Sequence, residues 1–105
     1  MQFNKLVRDK IPEILEAKGS TIKTDVCDDQ EYLKRLREKL QEEVTEFLED
    51  DTVEELADVL EVVYALAKAK HISKEDLEKV RIQKAEKRGA FDKKIILLEA
   101  TKVEL

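Results

Sequence analysis

The chain has 105 residues, 43% of them charged, with 20 lysines and arginines against 25 aspartates and glutamates for a net charge of −5. That length predicts a single domain over residues 1–105 with a modest core, and the excess of acid argues against nucleic acid as the main partner, because duplex binding normally shows a basic footprint. The single Cys27 excludes an intramolecular disulfide, no apolar run approaches the roughly 20 residues of a membrane span, and the N-terminus lacks the apolar core of a signal peptide, so a soluble cytoplasmic protein without membrane contact is expected.

Only two glycines and one proline interrupt the chain, a composition that suits helices and starves turns, and an all-α protein is expected. The opening "FNKLVRDKIPEILEAKGS" reads as an irregular lead followed by a short helix, with Asp9 as cap, Pro12 in the first turn and Gly19 as the left-handed exit. Its apolar side would be Ile11, Ile14 and Leu15. "TIKTDVC" alternates and is β-branched, which predicts a short strand, and the tail "KIILLEATKVEL" is its most plausible partner.

From Asp28 or Asp29 as cap, "QEYLKRLREKLQEEVTEFLED" places Leu33, Leu36, Leu40, Val44, Phe47 and Leu48 on one side of a helix. "DDT" breaks it, and Thr52 caps "VEELADVLEVVYALAKAK", which from Val59 to Ala69 is apolar on nearly every side. A helix of that kind needs covering all round. Three or four helices from so short a chain can hardly supply the cover, so the expected architecture is a bundle of about four helices completed by another subunit. Ser73 and Asp76 then have capping-box spacing at the start of "KEDLEKVRIQKAEKR", which stops at Gly89.

Residues 41 to 61, "QEEVTEFLEDDTVEELADVLE", hold ten carboxylates and no lysine or arginine. Positions three apart share a helix face, so Glu43 stands beside Glu46 and Glu55 beside Asp58. A tight connection makes the two helices antiparallel neighbours and can bring the pairs face to face. Four carboxylates so placed suit a hard dication such as Mg²⁺ or Mn²⁺, which also offsets their repulsion. Glu55 shares the row Val59, Val62, Leu66, Asp58 lies beside Val62 and Ala65, and Glu43 borders Leu36, Leu40 and Phe47. Carboxylates at the edge of a core are costly unless paired or metal-bound. The plainer alternatives stay open: Thr52 and Glu55 fit a capping box, and Glu43 and Glu46 could be surface acids paired with Lys39.

Between Lys68 and Lys94 the balance reverses, with ten basic residues against five acids. The inner row of the last helix begins with Leu77 and Val80 and continues as Lys84, Lys87 and Arg88, which would hold a polyphosphate or simply stabilise the helix end. Lys5, Arg8 and Lys10 form a second basic cluster. His71 reads as a solvated cap and Cys27 as a packing residue. The chain has no glycine-rich phosphate loop, zinc spacing or G-x-S-x-G elbow.

"EEVTE" followed by "EELAD" resembles the E-x-x-E…E-x-x-D signature of the MazG-like, all-α nucleoside triphosphate pyrophosphohydrolase superfamily, which includes phosphoribosyl-ATP pyrophosphohydrolase. The opening "NKLVRDKIPEIL" and the closing "KAEKRGAFDKKI" resemble a small single-domain branch of that group. One departure is the short gap between Glu46 and Glu55, which leaves little room for an extended loop. The resemblance implies Mg²⁺-dependent cleavage between the α and β phosphates to give a nucleoside monophosphate and pyrophosphate, with housekeeping of the nucleotide pool as one role. By position it makes Glu43, Glu46, Glu55 and Asp58 the metal ligands, with Mn²⁺ as a substitute, and gives Glu46 or Glu43 the proton of the attacking water. Lys84, Lys87 and Arg88 would steady the phosphates, in a homodimer or homotetramer. Phosphoribosyl-ATP as substrate, and a non-catalytic helical dimerisation or regulatory module, are the competing expectations.

Overall fold

The computed structural model describes residues 3–102 and contains four helices, α1 (Ile11–Ala17), α2 (Asp29–Asp50), α3 (Val53–Ala69) and α4 (Lys74–Arg88). The all-α class expected from composition is the class observed. The chain divides into two compact units, Met1–Lys74 and Glu75–Leu105.

The first unit is built on α2 and α3. Asp28, in extended backbone, accepts the Glu31 N–H on Oδ1 at 2.8 Å and so settles where α2 begins. At the other end Asp51 turns left-handed (φ +54°) and its N–H returns to the Phe47 carbonyl oxygen at 2.8 Å. Thr52 then accepts the Glu55 N–H on Oγ1 at 3.3 Å and opens α3. With two residues between them the helices pack on each other as an antiparallel pair, burying Leu36 from α2 and Val62 and Ala67 from α3. Helix α3 stops in a Schellman motif: the Ile72 N–H reaches the Ala67 carbonyl at 2.8 Å and the His71 N–H reaches Lys68 at 2.9 Å, with His71 left-handed at φ +63°. His71 is exposed there, in the capping place expected of it.

Helix α1 ends by the same device, with Gly19 at φ +95° and the Ser20 N–H on the Leu15 carbonyl at 3.0 Å. Its start differs from expectation. The N-cap is Lys10, no side chain caps the helix, and the Arg8 carbonyl accepts the Ile11 N–H at 3.1 Å, so a backbone turn takes the place of the Asp9 carboxylate. Among the described residues there is no strand. "TIKTDVC" is irregular and Val26 is 92% exposed, because β-branched alternation supplies propensity but not a partner for the strand's N–H and C=O groups. The tail carries no strand as far as Lys102, and residues 103–105 lie outside the described residues.

In the second unit α4 runs to Arg88, and Gly89 (φ +87°) returns its N–H to the Ala85 carbonyl at 2.8 Å. Arg81 forks onto Glu78 one turn earlier. No residue of α4 is buried, and Ile95, Ile96, Leu97 and Leu98 beyond it are exposed. No helix among the described residues is long and apolar enough to cross a membrane.

Candidate metal centre

In an antiparallel pair turning at Asp51 and Thr52, Glu43 lies eight residues before Asp51 and Asp58 six after Thr52, while Glu46 and Glu55 lie five and three away, so each cross-helix pair is offset by two residues, about 3 Å in height. The side chains follow. One carboxylate oxygen from each of Glu43, Glu55 and Asp58 lies within 4.8 Å of the other two. Glu46 stands outside that triad but touches its electrostatics, pressing on both Glu43 and Glu55.

Burial separates these acids from ordinary surface carboxylates. Glu43 is only 7% exposed, and it is the one charged residue buried among those described. Its Oε1 lies 3.5 Å from Lys39 Nζ, so the pairing with Lys39 considered above does form. Its Oε2, however, is buried with no hydrogen-bond partner, and the same holds for Glu55 Oε2. An orphaned buried carboxylate oxygen is a costly arrangement in isolation, and two of them beside a third carboxylate form a donor set of hard oxygens suited to Mg²⁺ or Mn²⁺.

The titration of these groups reflects that crowding. Burial pushes the Glu43 carboxyl above its ordinary value of 4.5; Glu46 and Asp58 push the same way, while Lys39 opposes them in part. Glu55 is also raised, first by burial and then by Glu46, Asp50 and Asp58. Glu42, one position from Glu43, goes the other way. Partial burial works against its ionisation, but Lys5 and Lys39 outweigh it and hold the carboxyl below 4.5.

The segment ahead of α1 supplies the cations that local spacing could not place. Arg8 Nη2 donates to Asp58 Oδ1 at 2.7 Å, with Nη1 4.0 Å from Glu61, and Lys5 Nζ donates to Glu42 Oε1 at 3.1 Å. Arg35 of α2 anchors the segment through the Asn4 carbonyl oxygen at 2.8 Å and Asn4 Oδ1 at 3.3 Å. Complementary charge between "NKLVRDK" and the acidic block was the available signal for this contact. Lys84, Lys87 and Arg88 lie exposed on α4 in the second unit, where the phosphate-binding role expected of them stays an expectation. No protein-family model, curated protein or solved structure matches the chain.

Proposed function

We propose that the chain is a Mg²⁺-dependent nucleoside triphosphate pyrophosphohydrolase of the MazG-like kind, adding water across the α–β anhydride to release a nucleoside monophosphate and pyrophosphate. The observation that carries this reading is the pair of buried, unpartnered oxygens, Glu43 Oε2 and Glu55 Oε2, in a triad with Asp58 whose ligand atoms span no more than 4.8 Å. The motif resemblance joins that donor set to triphosphate chemistry.

Glu43, Glu55 and Asp58 would hold the dication, with Glu46 as a fourth carboxylate at their side. When bound, Mg²⁺ offsets the charge of a triphosphate and acidifies a coordinated water. Glu46, outside the triad yet adjacent to Glu43 and Glu55, or Glu43 itself would take the proton of the attacking water.

A second copy of the chain belongs to this reading. Leu36, Val62 and Ala67 are the buried apolar residues among those described, too small a core to offset the ordering of three helices in the first unit. On α3, Val53, Leu56 and Leu60 follow at spacings of three and four yet are 72%, 49% and 48% exposed. An apolar row of that kind fits against its own copy in a homodimer or homotetramer.

The test is a panel of ordinary and modified nucleoside triphosphates, with phosphoribosyl-ATP among them, assayed with Mg²⁺ and with product identification. Pyrophosphate and a monophosphate product support the proposal. Release of terminal phosphate, or no turnover of any member, favours the non-catalytic helical module.

A further inference from the structure

Lys5 and Arg8, ahead of α1, are folded onto the acidic face of α2 and α3, and of the two it is Arg8 that touches the triad. Asp58 Oδ1 accepts from Arg8 at 2.7 Å, whereas Glu43 Oε2 and Glu55 Oε2 have no partner. A lone pair given to a guanidinium N–H is withheld from a dication, so Arg8 and a metal compete for the same carboxylate charge. Arg8 is also half-exposed and planar, with more N–H donors than its bond to Asp58 uses, a fork that suits phosphate oxygens.

We propose that Arg8 is an exchanging residue of this site: it neutralises Asp58 before metal arrives, yields that carboxylate to the dication, and then binds a phosphate oxygen of the ligand the metal brings. The inference rests on the dication reading of Glu43, Glu55 and Asp58. It goes beyond it by giving the anionic ligand a partner from the N-terminal segment, within the same unit as the carboxylates. Glu61, 4.0 Å from Arg8 Nη1, keeps a second carboxylate near the guanidinium during the exchange.

The exchange has a signature of two opposite signs. In Arg8→Gln, titrated by calorimetry at 0.15 M salt, Mn²⁺ alone should bind about three- to fivefold more tightly, the scale of a partly exposed ion pair removed as a competitor. Inorganic pyrophosphate, titrated into the same variant saturated with Mg²⁺, should bind at least about tenfold more weakly, the scale of a lost charge-assisted hydrogen bond. Lys5→Gln, which removes a cation paired with Glu42 outside the triad, should change both constants less than about twofold at that salt. Arg8→Lys keeps the charge and should recover part of the pyrophosphate affinity. Circular dichroism verifies that each variant is folded. Both constants moving in the same direction, or Arg8→Gln matching Lys5→Gln, overturns the exchange while leaving the metal site standing. Failure of the unaltered protein to bind Mn²⁺ overturns both.

Discussion

Thr52 Oγ1 accepts the backbone N–H of Glu55 at 3.3 Å, while Glu55 Oε2 is buried and without a partner. The helix is therefore capped by the threonine, and the glutamate side chain is turned to the carboxylate cluster. Glu55→Gln should keep the fold, since the cap survives, and should lose the stabilisation by divalent cation. For a ligand at one hundred times its dissociation constant that stabilisation is about 2.7 kcal/mol, a rise in Tm of roughly 10 °C or more for a domain of this size. Thermal melts with and without Mg²⁺ check it. A variant that melts far below the unaltered protein without metal, and still responds to Mg²⁺, contradicts the assignment.

Glu43 gives the pH dependence. Its folded-state pKa is raised above the ordinary 4.5, so the folded chain binds this proton more tightly than the unfolded chain. The contribution to stability is fully present below 4.5 and is lost as pH rises through the raised folded value. In metal-free buffer Glu43→Gln should remove that loss, raise Tm by a few degrees at pH 7, and flatten the melting profile from about pH 4.5 upward. Added Mg²⁺ should reverse the order of the two proteins. Melting curves across pH, with and without the cation, read both effects.

These two predictions also mark what the sequence made legible. The spacing of three in "EEVTE" and in "EELAD" set Glu43 beside Glu46 and Glu55 beside Asp58, because helical period and a short connection are local properties; Glu43, Glu55 and Asp58 are the three that the structure gathers. Leu36, Leu40 and Phe47 set Glu43 at the margin of an apolar stripe, and the structure buries it. The Arg8–Asp58 pair spans 50 positions and no local period reports it. The "TIKTDVC" strand failed for the converse reason: its alternation was visible, but a strand depends on a distant partner that local pattern cannot supply. Asp9 was passed over as a cap because the chain already turns through the Arg8 carbonyl.

His71 ends α3 at φ +63°, a conformation that costs an ordinary residue about 1–2 kcal/mol and glycine little. The greater freedom of glycine in the unfolded chain returns part of that. His71→Gly should stabilise the protein by about 0.5–1 kcal/mol, and His71→Val should destabilise it by at least as much. Denaturant midpoints are the readout, and a loss of stability in the glycine variant would contradict the Schellman geometry.

The exposed row on α3 predicts the state of assembly. Analytical ultracentrifugation of the unaltered protein should give a dimer or tetramer, and the double variant Leu56→Asp with Leu60→Asp should sediment as monomer with a lower Tm. A well-folded monomer at every concentration contradicts the covering of α3 by a second copy.

The most direct measurement is an anomalous difference map from crystals grown with Mn²⁺. The account predicts a peak within coordination distance, roughly 2.0–2.2 Å, of one oxygen from each of Glu43, Glu55 and Asp58. Three carboxylates turned apart toward solvent, with no peak among them, would contradict it.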